Sequence, residues 1–353
     1  MKILGIESSC DETAAAVVED GRRLLSNVVA TSMDLHAQYG GVVPEIAARS
    51  HIEFIMPVIT QALKGAECSW DDIDGIAVTY GAGLGGSLLV GVLAARTLAI
   101  LKKKPLYAVN HVEGHVYANF LVETALSGYH LPSTQPIFPM LALIVSGGHS
   151  QLVLFRNHFD YTLLGQTHDD AIGEAFDKVA KLLGLPYPGG PSVGKKALAG
   201  NPQAFALPKA HLAHKYDFSF SGPKTAVLRL AQQAVGKDHT LPSTALPDLL
   251  SETQKADIAA SFQRVAIETV VDKAVLAFEE FHPKSVVIAG GVAASPELRR
   301  QLAERLPLPV AYTDPKLCTD NGAMIATLGC FTAQAGRPTA DPYTLAIEPN
   351  LSM

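Results

Sequence analysis

Residues 2–19, KILGIESSCDETAAAVVE, decide the predicted fold. The two apolar ends, KILGIE (2–7) and AAAVVE (14–19), predict short buried strands, and the polar segment SSCDET between them predicts the turn that joins them. The same order of strand, small polar turn and strand returns in MLALIVSGGHSQLVLFR (140–156). A supersecondary unit that occurs twice in one chain indicates two structurally related lobes.

The rest of the chain predicts an α/β protein. Further buried strands are predicted in GIAVTYG (75–81) and LYAVN (106–110), and a strand, glycine turn and helix in 285–306. Apolar periodicity predicts helices over 169–185 and 251–281. The segment between 185 and 198, PYPGGPSVGKKA, is rich in turn formers and predicts a loop, while the structure of YDFSFSGPKTAVLRL is left open.

The predicted lobes divide the chain at the histidine-bearing segment. The first lobe spans 1–110 and is completed by 320–353, and the second lobe spans 111–319. Within the first lobe, a helical pattern through FIMPVITQAL contains Pro57, which predicts a kink or a helix restart. Functional residues are expected in the turns at the ends of strands.

Composition and charge favour a compact globular protein. The chain has 353 residues, of which 48% are hydrophobic and 18% charged, compared with about 25% charged in a typical protein. The net charge of −6 argues against a protein that coats nucleic acid by bulk charge, but it allows a local basic patch. The four cysteines form no CxxC pair, which is typical of a reducing compartment and disfavours a cysteine-rich zinc site.

The most apolar helical stretch, SLLVGVLAARTLAILKK, carries Arg96 in its middle. A charged side chain at that depth favours a buried helix over a membrane span. The N-terminus turns polar too soon to supply the apolar core of a signal peptide. The sequence therefore predicts a cytoplasmic protein with no membrane partner.

The segment NHVEGHVYA (110–118) carries the most specific candidate site. On a helix, His111 and His115 lie on one face, where two imidazoles can share one cation. The spacing is not HExxH, because Val-Glu-Gly separates the histidines. A third ligand is needed, and Asp320 in CTDNGAMIA is the best candidate, with a helix N-cap as its structural alternative.

Three glycine turns, IVSGGHS, LPYPGGP and VIAGGVAAS, suit the binding of phosphate or nucleotide through backbone N–H groups. Paired glycines also serve ordinary tight turns, and none of the three has the P-loop pattern. In the first turn, Asp11 and Glu12 could orient water, accept a proton or hold a second cation, or they could form an exposed acidic turn. Asp177 lies beside Lys178 on a predicted helix, where an exposed ion pair is the alternative interpretation.

Taken together and in order, these motifs resemble the tRNA N6-adenosine threonylcarbamoyltransferase family (TsaD, formerly Gcp). The resemblance covers nearly the whole chain and rests on GIESSCDETAAAVV, HAQYGGVVPEIAARSH, NHVEGHVYA, IVSGGHS, GEAFDKVAKLLGLPYPGGP, FSFSGPKTAV, VIAGGVAAS and CTDNGAMIA. It implies the actin-like ATPase (ASKHA) superfold, with two RNase-H-like lobes around a central cleft.

The resemblance also implies a set of site residues. His111, His115 and Asp320 would bind one divalent metal ion, Fe(2+) in the first place and Zn(2+) as the alternative. Substrate contacts would come from Ile144, Val145, Ser146, Gly147, Gly148, Asp177, Gly190, Gly194 and Ser295. Two positions depart from the family pattern, because Ser295 stands where relatives carry asparagine and Gly194 where some carry aspartate. Serine still donates and accepts hydrogen bonds, but it reaches less far.

The implied reaction moves a threonylcarbamoyl group from its adenylate to the N6 amine of the adenosine next to the anticodon, in tRNAs that read codons beginning with A. Asp11 and Glu12 are the hypothesised acid–base or positioning residues. The implied partners are tRNA, a paralogous protein like TsaB and a small ATPase like TsaE. The alternative functions are a nucleotide-dependent ATPase or scaffold of the same superfold, which would leave the histidine pair unused, and a metallopeptidase, for which the HExxH glutamate is missing.

Overall fold

The computed structural model describes residues 1–39, 41–210 and 212–353, and their strands form two sheets. The strands are β1 (Lys2–Glu7), β2 (Glu12–Glu19), β3 (Arg23–Thr31), β4 (Gly75–Gly81), β5 (Leu106–Asn110), β6 (Glu123–Thr124), β7 (Met140–Val145), β8 (Ser150–Asn157), β9 (Asp160–Gln166), β10 (Ser285–Ala289) and β11 (Val310–Ala311).

The α-helices are α1 (Met33–Ala37), α2 (Pro44–Gly65), α3 (Gly85–Lys102), α4 (His111–Tyr117), α5 (Ile172–Leu183), α6 (Gly189–Ala197), α7 (Ser221–Ala234), α8 (Leu246–Leu249), α9 (Glu252–Phe281), α10 (Pro296–Arg305), α11 (Pro315–Cys318) and α12 (Gly322–Gln334). Short 3-10 turns lie at 70–72, 118–120, 243–245 and 291–294.

The chain forms two compact units. Unit 1 comprises Met1–Pro136 and Ala311–Met353, and unit 2 comprises Ile137–Val310. The first boundary thus falls after Pro136, not after residue 110 as the sequence predicts. The reason is that α4 packs against α12, so the histidine-bearing helix belongs to unit 1.

Each unit contains one of the two predicted strand–turn–strand repeats. In unit 1, β1 lies between antiparallel β2 and parallel β4, within the strand order β5-β4-β1-β2-β3-β6. In the second sheet, β7 lies between antiparallel β8 and parallel β10, within the order β11-β10-β7-β8-β9. The same local pairing in both sheets accounts for the repeated sequence pattern.

Helices cover both faces of the first sheet. Leu4 and Ile6 of β1 belong to a buried apolar cluster with Ile59 of α2 and Val92 of α3. The opposite face of β1 meets α12, and Gly5 permits this approach because a Cβ there would lie 2.3 Å from the Ala326 backbone nitrogen. The alternation of side chains along the strand therefore places one helical layer on each side.

Helix α3 could cross a membrane by length and composition alone. Its Arg96, however, donates hydrogen bonds from Nε, Nη1 and Nη2 to the carbonyls of Pro342, Leu345 and Tyr343, at 2.6, 3.2 and 2.5 Å. The guanidinium thus fastens the C-terminal segment of unit 1 to the helix. The helix is 39% buried, with Leu88, Val92 and Leu98 in the core and Leu93 and Leu101 exposed, so the predicted burial holds for one face only.

One local prediction was wrong, and a second was wrong in one of its two alternatives. The loop predicted for PYPGGPSVGKKA contains a helix, α6, whose Gly189 and Val193 are buried where α6 packs against α5 and α9. Packing there overrides the poor helix propensity of glycine and proline. Of the two outcomes predicted at Pro57, the helix restart is absent, because α2 runs unbroken from Pro44 to Gly65, and the kink stays a prediction. The segment whose structure the sequence left open contains α7.

Candidate active site

The two histidines of NHVEGHVYA lie on one short helix that starts at the end of β5. Asn110, the last residue of β5, caps α4 by accepting hydrogen bonds from the backbone N–H groups of Val112 (2.8 Å) and Glu113 (3.3 Å). The helix therefore begins at His111, and His115 follows one turn later on the same face. Their ring centroids are 4.8 Å apart.

Asp320 completes the cluster. The N-cap of α12 is not Asp320 but Asn321, whose side chain accepts a hydrogen bond from the Met324 N–H at 3.0 Å. The Asp320 carboxylate instead faces both imidazoles, with Oδ1 3.5 Å from Nε2 of His111 and 3.3 Å from Nε2 of His115. The ligand atoms of these three residues all lie within 4.8 Å of one another.

The cluster fits a divalent cation. His115 is 2% exposed, and neither of its ring nitrogens has a hydrogen-bond partner, since the contact from Nε2 to Asp320 lacks hydrogen-bond geometry. A buried polar atom without a partner is costly unless something else satisfies it. Two imidazoles and one carboxylate are also a donor set that first-row divalent metals accept.

Behind His111 lies a buried glutamate, Glu7, at the end of β1. Its Oε2 is 3.1 Å from Nδ1 of His111 and accepts a hydrogen bond from the Thr79 hydroxyl at 2.6 Å, while Oε1 accepts one from the Ser9 N–H at 2.5 Å. Burial alone would raise the pKa of the Glu7 carboxyl, but His111 and Thr79 outweigh it and lower that pKa. Glu7 is therefore held as a carboxylate.

Negative charge is concentrated around the cluster. Burial, Asp320 and Asp11 raise the pKa of Glu12 to about 10. Burial lowers the pKa of His111, but the carboxylates of Asp320 and Glu7 raise it by more than burial lowers it, so that the pKa is about 9. A site with excess negative charge raises the pKa of both its carboxyl groups and its imidazoles. A bound cation would offset that charge.

Asp11 and Glu12 lie in the turn between β1 and β2 and at the start of β2. Asp11 is 9% exposed, and its carbonyl accepts hydrogen bonds from the Ser32 N–H (3.2 Å) and hydroxyl (2.9 Å). An interaction between the two side chains is among the causes of the raised pKa of Glu12. The exposed acidic turn that the sequence left open as an alternative is therefore not what the structure contains.

The predicted substrate residues lie in unit 2, where the structure brings two of the glycine turns together. Strand β7 runs parallel to β10, so IVSGG and IAGGV leave the sheet side by side. Gly290, with φ +88°, lies so close to β7 that a Cβ would be 2.5 Å from the Val145 carbonyl oxygen. A Cβ on Gly147 or Gly148 would meet no atom within 4 Å, so that turn presents open backbone.

The third turn is tied to α5. The Asp177 carboxylate accepts a hydrogen bond from the Gly189 N–H at 2.6 Å, which fixes the start of α6. A Cβ on Gly190 or Gly194 would meet no atom within 4 Å. The Ser295 hydroxyl accepts a hydrogen bond from the Leu298 N–H at 3.4 Å and so caps α10. Substrate contacts by these residues stay predictions.

Comparison with known proteins identifies a family. Residues 23–327 match the family model for tRNA N6-adenosine threonylcarbamoyltransferase. A protein of that name from Thermomicrobium roseum is 52% identical over 95% of this chain and 93% of its own length. The chain belongs to the tRNA N6-adenosine threonylcarbamoyltransferase family. A family protein from Dehalococcoides mccartyi is 46% identical over 100% of this chain and 99% of its own length.

Solved structures with a similar fold are more distant in sequence. Full-length HypF, bound to phosphate and nucleotide, superposes with a TM-score of 0.56 at 13% identity, covering 95% of this chain and 46% of HypF. Component A of (R)-2-hydroxyglutaryl-CoA dehydratase from Acidaminococcus fermentans gives 0.50 at 16% identity, covering 95% and 99%. These likenesses bear on the fold alone, and they confirm the predicted actin-like ATPase superfold.

Membership of the threonylcarbamoyltransferase family settles several sequence predictions. The predicted family and the predicted acyltransferase of tRNA modification are confirmed, and this function is favoured over the ATPase or scaffold and the metallopeptidase. The family name states a tRNA adenosine as acceptor, so tRNA is the substrate class. A divalent-cation site is supported by the family and by the cluster of His111, His115 and Asp320.

The sequence motifs do not identify Glu7 and Ser9 as neighbours of His111, or Thr79 as a partner of Glu7. Glu7 carried a signal, because it is a charged residue at the end of a strand whose other residues are almost all apolar. A glutamate in that position is either exposed at the strand end or buried against a donor. Only the structure shows that the donors are Thr79 of β4, the Ser9 N–H and the imidazole of α4.

Glu113, also on α4, gives a pH-dependent prediction. It is 6% exposed, its Oε1 has no hydrogen-bond partner, and burial raises its pKa from 4.5 to about 7 although Arg337 lowers it. The unfolded chain releases this proton near pH 4.5, so the folded state loses stability as the pH rises to about 7, and the loss persists above that pH. Glu113→Gln should therefore stabilise the cation-free protein at pH 8, by up to about 3 kcal/mol.

Urea unfolding at pH 4.5 and pH 8 measures this effect. At pH 4.5 the Glu113→Gln variant and the wild type should have nearly equal free energies of unfolding. Glu53→Gln makes the same change on an exposed position of α2 and should alter stability little at either pH. Equal stability of Glu113→Gln and wild type at pH 8 would show that the buried carboxyl does not destabilise the folded state.

Proposed function

We propose that this protein transfers the threonylcarbamoyl group of threonylcarbamoyl-adenylate to N6 of the adenosine next to the anticodon, in tRNAs that read codons beginning with A. The observation that carries the proposal is the convergence of His111, His115 and Asp320 in a member of this transferase family. Helix α4 and the bend between α11 and α12, far apart in sequence, place these side chains around one point, as a cation site requires.

The reaction requires one bond to form and one to break. The N6 nitrogen forms a bond with the carbamoyl carbon, the bond from that carbon to the phosphate oxygen of the adenylate breaks, and AMP leaves. One amine proton must be taken up. The chain therefore has to hold the acyl group, hold the adenylate and provide a proton acceptor.

We propose that His111, His115 and Asp320 hold one divalent ion, iron in the first place and zinc as the alternative. Two imidazoles and a carboxylate suit both ions, and three protein ligands leave positions open to substrate. When bound, the ion supplies Lewis acidity toward a carbonyl oxygen. The structure supports this assignment through the unpartnered nitrogens of His115 and the surrounding negative charge.

Asp11 and Glu12 are the proposed residues for proton handling and for positioning the amine. At neutral pH the Glu12 carboxyl, with its pKa of about 10, carries a proton and can donate a hydrogen bond. Asp11, which interacts with it, is the proposed proton acceptor. Two neighbouring carboxyl groups that share a proton are suited to this role, because one holds a proton while the other can take one.

The adenylate is the proposed ligand of the glycine turns in unit 2. Gly147 and Gly148 follow the end of β7 and are exposed, and a Cβ on either would meet no atom within 4 Å. Exposed N–H groups in such turns suit a phosphate or a ribose. The other proposed contacts come from Ile144, Val145, Ser146, Asp177, Gly190, Gly194 and Ser295.

Binding of tRNA is proposed to depend on partner proteins or on a local basic patch. The net charge of −6 gives no general attraction for the phosphate backbone. The proposed partners are a paralogous protein like TsaB and a small ATPase like TsaE, and the proposed location is the cytoplasm, where tRNA is modified.

The test follows carbon-14 from threonine, supplied as the adenylate, into tRNA in the presence of the companion proteins. Wild type should label a tRNA that reads codons beginning with A, and His111→Ala should leave that tRNA unlabelled. A tRNA whose codons begin with another base serves as the acceptor control. Absence of label with wild-type protein that carries its cation would overturn the proposal, and ATP hydrolysis or peptide cleavage by the same sample would then identify an alternative function.

A further inference from the structure

We propose that Glu7 is a positioning residue that fixes the His111 imidazole, so that Nε2 is presented to the cation. This inference rests on the proposed cation site and adds a residue that acts on the site without being a ligand. It concerns the direction in which one ligand points.

The carboxylate of Glu7 is itself fixed at both oxygens. Glu7 is fully buried, its Oε1 accepts the Ser9 N–H, and its Oε2 accepts the Thr79 hydroxyl. Ser9 belongs to the turn after β1, and Thr79 belongs to β4, which pairs with β1. Because the sheet and its turn hold the carboxylate in place, its position is as rigid as the backbone around it.

This rigid acceptor determines how His111 is used. Nδ1 of His111 lies 3.1 Å from Oε2 of Glu7, whereas Nε2 points toward Oδ1 of Asp320, 3.5 Å away. An N–H on Nδ1 that donates to a carboxylate leaves the lone pair on Nε2, which is the form a metal needs. The Ser9 hydroxyl also lies 3.1 Å from Nδ1, but the charged carboxylate is the stronger acceptor.

His115 provides the internal contrast. Neither of its ring nitrogens has a hydrogen-bond partner, so its orientation depends on packing and on the ionic contact of Nε2 with Asp320. Packing is close there, since a Cβ on the neighbouring Gly114 would lie 3.0 Å from Cδ1 of Ile325. The cluster thus contains one histidine oriented by a hydrogen-bonded carboxylate and one oriented by its surroundings.

The experiment measures Co(2+) binding to the full chain at one pH, by competition with a chromophoric chelator and by visible absorption of the bound ion. Glu7→Gln should weaken Co(2+) affinity roughly 10- to 100-fold, the usual effect of removing such a partner of a ligating histidine. It should also shift the absorption bands, which report ligand geometry. Thr79→Val keeps the side-chain shape but removes the hydroxyl that donates a hydrogen bond to Oε2 of Glu7. It should weaken Co(2+) affinity by a smaller factor than Glu7→Gln does.

Two control variants separate orientation from charge and from the site itself. Asp11→Asn removes one carboxylate from the same acidic region, but no hydrogen bond to His111 is among the contacts of Asp11, so its loss of Co(2+) affinity should be smaller than that of Glu7→Gln. His111→Ala should abolish stoichiometric binding. Near-ultraviolet circular dichroism checks that each variant is folded. If Glu7→Gln does not fold, the Co(2+) affinity of Thr79→Val tests the role of Glu7 instead.

The outcomes distinguish this inference from the proposed function. Wild-type affinity and spectrum in Glu7→Gln, or a loss of affinity no larger than in Asp11→Asn, would overturn the role of Glu7 and leave the cation site intact. If Glu7→Gln does not fold, unchanged Co(2+) affinity in Thr79→Val would overturn the role of Glu7. The cation site and the role of Glu7 would both be wrong if wild type did not bind Co(2+), or if His111→Ala bound it as well as wild type does.

Discussion

Replacing Asp320 with asparagine is expected to abolish tRNA threonylcarbamoylation almost completely. The change keeps the shape of the side chain but removes the one anionic ligand, whose Oδ1 faces Nε2 of both His111 and His115. Loss of a partner behind a ligand lowers affinity roughly 10- to 100-fold, so loss of a ligand should lower cation affinity by about 100-fold or more. Cation content of the purified protein and transfer of labelled threonine to tRNA should fall together.

A matched variant isolates the ligand from the general loss of charge. Asp34→Asn makes the same chemical change on an exposed residue of α1, and it should retain both cation and activity. The helix cap is not at risk in Asp320→Asn, because Asn321 provides it. Normal cation content in Asp320→Asn would therefore remove Asp320 from the ligand set, even if activity were reduced.

The fold could be predicted where a local pattern of apolar strands and a polar turn occurred twice in the chain. Strands β1 and β2 are apolar, the turn between them is polar, and the same combination returns at β7 and β8. Alternation alone does not determine which strand pairs with which. The parallel neighbours, β4 for β1 and β10 for β7, come from the tertiary fold.

Predictions failed where packing decided against local propensity. Glycine and proline in PYPGGPSVGKKA indicate a loop, yet α6 forms because α5 and α9 bury its inner side. The lobe boundary moved for a similar reason, since α4 packs against α12 from the far end of the chain. Such contacts join segments that no local pattern links.

Some residues of the candidate site could be predicted from local sequence patterns, and others could not. His111 and His115 lie four residues apart, so one helix suffices to predict that they share a face. Asp320 could be proposed only because a third ligand was required, and its competing role as a helix cap was settled by Asn321. The role of Glu7 could not be predicted, because its partners Thr79 and His111 lie on another strand and on a helix that the local pattern does not link to β1.

The contact between β1 and α12 leads to the second large prediction, which concerns Gly5→Ala. A Cβ at Gly5 would lie 2.3 Å from both the Ala326 nitrogen and the Gly322 carbonyl oxygen, and 2.8 Å from the Ala326 Cα. Backbone atoms cannot rotate away, so α12 must move off the sheet. Overpacking of a tight core costs about 1–3 kcal/mol and occasionally more. We expect a loss near the upper end, about 3 kcal/mol in the free energy of unfolding, measured in urea.

The same displacement should reach the cation site, because α12 begins two residues after Asp320. Gly5→Ala should therefore bind Co(2+) more weakly than wild type under conditions where the variant remains folded, although residue 5 is not a ligand. Gly41→Ala is the control, since a Cβ there would meet no atom within 4 Å, and it should change neither quantity. If Gly5→Ala lost stability but bound Co(2+) normally, Asp320 would be held by the segment before α12 and not by the seating of α12 on β1. If stability were also unchanged, the close approach of β1 and α12 would itself be wrong.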